Sequence, residues 1–201
     1  RPVHSKLSHE TDAKWGLASA SVHADTRREN MNDVCTSCHN SNFTDNFFLQ
    51  YEGLLTLYDE KFATPGEKLY KAAIPLLRSD ADGNHIKFSE KIDFIWFEIW
   101  HHEGRRARHG ASMMAPDYTH WHGTYELAKN FYSEFIPEIE EIIERGLHSD
   151  SKKDKNTAKE LQKLLDDVMA GDNHKWIDGK MDPDEKKRRK KAADEFKARY
   201  K

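Results

Sequence analysis

A chain of 201 residues with 37% hydrophobic and 33% charged side chains has room for one domain, or a domain with an appendage, around a modest core. Its 32 Lys and Arg against 35 Asp and Glu leave a net charge of −3, so no global cationic field marks nucleic acid as a partner. No stretch approaches the roughly 18–20 apolar residues of a membrane-spanning helix.

The sequence opens on Arg1-Pro2, without a charged segment feeding an apolar run, and reads as a processed chain or a fragment of a longer one. Residues 1–20 carry little periodicity, and Ser21 to Met31 reads as a helix delivering the chain into Cys35. From Phe43 to Phe62, the positions of Phe47, Phe48, Tyr51, Leu54, Leu55 and Tyr58 predict an amphipathic helix. Thr64-Pro65-Gly66-Glu67 then offers an N-cap, a proline at the first helical position and a glutamate at the third, predicting a second helix from Pro65 to about Leu77. Ser79 to His85 is a polar loop. Its Asp80, Asp82 and Asn84 imitate the start of a calcium loop, but the glycine stands fourth instead of sixth and Lys91 replaces the bidentate glutamate, so calcium is not expected.

Ile92, Ile95, Trp96, Ile99 and Trp100 predict a helix running through His101 and His102 and broken up by Gly104, Gly110 and Pro116. Tyr118 to Arg145 reads as the longest helix, carrying Tyr125, Leu127, Phe131, Phe135, Ile139 and Ile142 and ended by Gly146. Beyond Ser149 short apolar patches (Leu161, Leu164, Leu165, Val168) lie in dense charge. Asp182 to Lys201 reads as a charged helical tail, basic throughout Lys186 to Lys191. No strand alternation and no repeat is visible. The fold expected is all-α, with long C-terminal helices.

Cys35-Thr36-Ser37-Cys38-His39 carries the chemistry. Two thiols three positions apart add across the vinyl groups of a porphyrin, and the adjacent imidazole reaches the iron from the same side. A zinc site would need two further ligands, and the chain has only these 2 cysteines. One covalently attached haem c is therefore expected, with His39 on the iron, which makes the chain an electron-transfer or redox protein. In multihaem cytochromes a distal ligand usually comes from far along the chain; of the 12 histidines, His9, His23, His102 and His109 are candidates, with His4 and His101 beside them. For any one of them the competing reading is a surface or hydrogen-bonded histidine. Arg105, Arg106 and Arg108 present guanidinium forks suited to haem propionates, against the alternative of a solvated basic patch. The chain thus divides into a haem-attachment segment (1–42), a helical domain (43–148) and a charged helical tail (149–201).

Four stretches together resemble a known family. They are Ala24-Asp25-Thr26-Arg27-Arg28-Glu29-Asn30-Met31 leading into the haem motif, Trp100 to Gly110, Met113 to Tyr118, and Trp121-His122-Gly123. Over residues 20–145 the chain is similar to the C-terminal part of octahaem hydroxylamine oxidoreductase, or hydroxylamine dehydrogenase; the charged tail lies outside the likeness. The resemblance implies a periplasmic homotrimer of nitrification in which eight haems are attached to each full-length chain, one of them here. It implies oxidation of hydroxylamine, a small nitrogenous substrate, to nitric oxide or nitrite, with electrons passing through bis-histidine haems to a small c-type cytochrome. It also implies that Tyr118, in its Met-x-Pro-Asp-Tyr context, is cross-linked to the catalytic haem of the neighbouring subunit, which tilts the chemistry towards oxidation. Spacing alone leaves Tyr118 an ordinary half-buried tyrosine. Asp117, His120 and His122 are candidate proton acceptors near it. The alternatives are hydrazine dehydrogenation by the same architecture, a plain monohaem electron carrier, and an assembly module whose helices from 118 to 200 hold a trimer.

Overall fold

The computed structural model describes residues 24–177, 179 and 181–198. It is all-α, as the sequence predicts, and among the described residues the only β pairing is a single bridge between Ser79 and His85. Among the described residues six helices follow in chain order: α1 (Ala24–Thr36), α2 (41–73, extended by a 3₁₀ turn Ile74–Leu76), α3 (91–112), α4 (116–148), α5 (Lys152–Ala170) and α6 (Pro183–Ala198). His4, His9 and His23 lie outside the described residues.

Helices α2, α3 and α4 do not keep a uniform pitch. Wide π turns occupy Asp59–Ala63 in α2, Glu98–Glu103 in α3, and His120–Tyr125 and Phe131–Phe135 in α4. Two causes are written in the sequence. Pro65 and Pro137 each follow a wide turn, whose closing amide bonds five residues back: Thr64 N–H to the Asp59 carbonyl, Ile136 N–H to that of Phe131. A proline has no N–H to give and its ring presses on the carbonyl four residues earlier, so a looser turn before it relieves the clash. The second cause is spacing. Thr119, Gly123, Leu127, Phe131, Phe135 and Ile139 are all buried and stand four apart. At 3.6 residues per turn each such step drifts about 40°, roughly 200° over the run, and the wide turns take up that drift so that the buried stripe stays on one side.

The boundaries differ from the sequence reading at several glycines. Gly104 and Gly110 do not break α3, and Gly146 does not end α4, which continues to His148. Each is a place of close approach. A Cβ on Gly110 would stand 2.8 Å from Thr119 Oγ1, one on Gly104 2.5 Å from Tyr58 Oη, and one on Gly146 2.8 Å from Ala158 Cβ. Nor does a new helix start at Pro65, because the wide turn carries α2 across it.

The chain forms two compact units. In the first, residues 24–66 and 91–137, the core is built from Phe48, Tyr51, Leu55, Tyr58, Phe62, Ile92, Ile99, Leu127, Phe131 and Phe135. Phe131 and Phe135 are stacked at 5.7 Å and Phe62 meets Phe131 edge-on at 5.3 Å. Burying one such side chain contributes about 1.5–3 kcal/mol. In the second unit, residues 67–90 and 138–198, Leu69, Ala73, Ile139, Ile142, Leu161 and Leu165 are buried, and Arg145 pairs with Glu90 at 3.0 Å.

Candidate functional site

The Cys35-Thr36-Ser37-Cys38-His39 segment sits at the corner between α1 and α2. The last turn of α1 carries Cys35. The Cys35 carbonyl accepts the amides of Cys38 (3.2 Å) and His39 (3.0 Å), which folds the motif into one tight turn. Asn40 then caps α2, its Oδ1 accepting the Phe43 N–H at 3.0 Å, and this fixes where the new helix begins. Arg28 ties the two helices together by pairing with Glu52 and lying 4.7 Å above the Phe48 ring. The His39 imidazole lies flat against Phe43, ring centres 4.3 Å apart.

These residues fit a covalently held porphyrin. Both thiols are unbridged, Cys38 is exposed, and Cys35 is half-buried. On the adjoining turns Met31, Val34 and Phe43 present apolar surface to solvent, Val34 at 70% exposure. Apolar side chains left bare beside two free thiols are what a large flat hydrophobic group would cover.

Two of the other candidate ligands lie on α3. His102 Nδ1 is 3.3 Å from Oε1 of the buried Glu103, and its Nε2 is 3.4 Å from Arg106 Nη2. A carboxylate behind an imidazole fixes tautomer and ring direction, the support usually seen behind metal-bound histidines. Glu103 Oε2 is itself buried with no hydrogen-bond partner among the described residues. His109, seven residues on along α3, is biased towards the neutral form by partial desolvation first and then by the cations Arg105 and Arg108. His101 lies against Phe97 at 4.4 Å and takes a contact from Arg105 Nη1 at 3.1 Å. Among the described residues no group of three or more His, Cys, Asp or Glu side chains converges as a metal cage, so His39, His102 and His109 are not brought together on one ion.

The three arginines part company. Arg105 is exposed. Arg106 donates to Glu126 Oε2 at 3.0 Å, and Arg108 donates to the Gly104 carbonyl at 3.0 Å while lying 4.8 Å over the Tyr58 ring.

Tyr118 stands in the first turn of α4, just after the α3–α4 corner where Met114 takes a positive φ of 52°. The corner is closed by the Ala115 amide donating to the Gly110 carbonyl at 2.9 Å. The Tyr118 ring is 52% exposed and tilts against His122, centres 5.4 Å apart. Met113, Met114, Trp121 and Tyr125 are exposed too, so the corner carries a broad aromatic and thioether face. Behind it, a cleft of about 420 Å³ is lined by Phe47, Tyr51, Leu54, Met114, Pro116 and His120.

No family model, curated protein or solved structure matches this chain.

Two carboxylates escape the sequence reading, Glu103 beside His102 and Glu126 four residues after His122. Each stands by a histidine, with Glu126 Oε1 3.5 Å from His122 Nδ1. The i,i+4 spacing of His122 and Glu126 on a predicted helix is the signal that marks the second pair.

Proposed function

We propose that this chain is the C-terminal part of a multihaem c-type oxidoreductase that oxidises hydroxylamine in the periplasm and hands electrons to a small c-type cytochrome. The observation that carries the reading is the turn at Cys35, Cys38 and His39, two accessible thiols and an imidazole framed by bare apolar side chains. In this reading Cys35 and Cys38 form the thioethers and His39 is the proximal ligand. His102, backed by Glu103, and His109, biased to its neutral form, serve as distal ligands to other haems, as do His9 and His23. Arg105, exposed beside His101, would meet a propionate, and Arg106 and Arg108 would do so while holding Glu126 and Tyr58. Bound haem supplies one-electron transfer and, where an iron position is open, a place for the small nitrogenous substrate.

Tyr118 supports the oxidising direction through the family resemblance. It sits exposed on an aromatic face that suits the neighbouring subunit of a homotrimer, where it would be attached to the catalytic haem.

Intact-mass and absorption measurements on the matured full-length product test the reading. One haem on Cys35 and Cys38, seven more upstream and a haem-linked Tyr118 peptide are expected. A sample with no Soret band and both thiols free would overturn it, and a single haem in total would leave a monohaem carrier. Steady-state oxidation of hydroxylamine and of hydrazine distinguishes the two substrates.

A further inference from the structure

Tyr118, His122 and Glu126 follow at i, i+4 and i+8 along α4, and the three side chains form a line. The Tyr118 ring lies on His122 at 5.4 Å, and His122 Nδ1 is 3.5 Å from Glu126 Oε1. Glu126 Oε2 accepts from Arg106 Nη1 at 3.0 Å, across from α3. The carboxylate is thus hydrogen-bonded at one oxygen by a guanidinium from the neighbouring helix and faces an imidazole on its own helix with the other. An ionised carboxylate facing Nδ1 holds the ring proton there and leaves the basic lone pair on Nε2. Arg106 stays charged at every relevant pH and holds Glu126 in place. His120, another candidate acceptor, lines the cleft with Phe47 and Tyr51.

We infer that His122 is the proton acceptor for the Tyr118 phenol, and that Glu126 and Arg106 are the positioning residues that aim it. The inference rests on the proposed function in taking Tyr118 as the tyrosine that reacts. The step is a proton transfer from Tyr118 Oη to His122 Nε2; no electron moves and nothing else is consumed. It makes the phenol oxygen a better nucleophile and an easier group to oxidise before any bond to a partner forms.

Three variants of the full-length protein test it: His122→Gln, Glu126→Gln and Glu126→Asp. His122 and Glu126 are 51% and 35% exposed, so folding should survive, and thermal midpoints check that it does. The first readout is the rate at which Tyr118 peptides acquire the macrocycle during maturation. H122Q and E126Q should slow it on the order of 100-fold, the usual worth of a positioned base, and E126D should recover most of the rate. Attachment as fast in H122Q as in the wild type overturns the inference and leaves the functional reading standing. Wild-type protein with Tyr118 unattached sinks the functional reading instead, and a second readout then decides the inference. Tyr118 should iodinate faster than Tyr125, which is 58% exposed and borders Trp121, with the advantage lost in H122Q and E126Q and kept in E126D. Equal iodination of the two tyrosines in the wild type, or an advantage that persists in H122Q, overturns it.

Discussion

The backbone of Gly123 lies against Ala107 so closely that a Cβ on the glycine would stand 2.5 Å from the Ala107 Cα and 2.6 Å from its nitrogen. Backbone atoms cannot swing aside as a side-chain tip can. Gly123→Ala should therefore force α3 and α4 apart and cost about 1–3 kcal/mol, the usual penalty of overpacking. Among the described residues no heavy atom lies within 4 Å of where a Cβ on Gly53 would stand, so Gly53→Ala on α2 should stabilise by about 0.5–1 kcal/mol through helix propensity alone. Paired denaturant titrations read both. A destabilised Gly53→Ala or a neutral Gly123→Ala would contradict the packing.

Phe131 is fully buried between Phe62 and Phe135. Truncation to alanine removes a ring from a site with rings on two sides, and about 3–5 kcal/mol of stability should go with it. Chemical unfolding measures this, and a loss under 1 kcal/mol would mean that the core collapses onto the gap.

Burial pushes the Tyr58 phenol up to about 12 despite the opposing pull of the Arg108 guanidinium. The raised value means that the folded state prefers the neutral phenol. Stability from this group is present below pH 10 and is lost as pH rises from 10 to about 12. Tyr132, raised to about 12 by burial, acts in the same window. Tyr58→Phe should take away its share of the alkaline loss, on the order of 2 kcal/mol, and leave the share of Tyr132. Unfolding free energies at pH 9, 10 and 11 give the slope; an unchanged slope in the variant would exclude Tyr58 as a source.

Asn40 caps α2 one residue after His39. Asn40→Ala should cost about 1 kcal/mol. The loss should be local, seen as faster hydrogen exchange of the Phe43 amide, whose capping bond is gone. Unaltered exchange there would show that the cap does not hold the corner.

The all-α fold was legible because the apolar spacing of residues 43–62, 92–100 and 125–142 is helical and no segment alternates. The glycines misled, since a glycine before a polar run looks the same whether it ends a helix or lets another backbone approach. Gly104, Gly110 and Gly146 proved to be the second kind, and only the neighbours Tyr58, Thr119 and Ala158, distant in sequence, tell the two apart. Pro65 looks like a helix start for a related reason, because its compensation lies in the preceding turn. At the candidate site the cysteines, His39 and Tyr118 stood out by type and context. Glu126 did not, since a glutamate on a charged helix is unremarkable until its two oxygens are seen to be taken by different helices.

The wide turns make helical phase a heritable quantity in this chain. A π turn amounts to one residue more than the ordinary pitch needs, so deleting a single residue within 120–125 would restore that pitch and leave Tyr118 in phase with Leu127 and Phe131. One codon lost from the regular stretch 128–130 would instead rotate Tyr118 by about 100° relative to Phe131, keeping every side chain of the aromatic face and pointing it somewhere else.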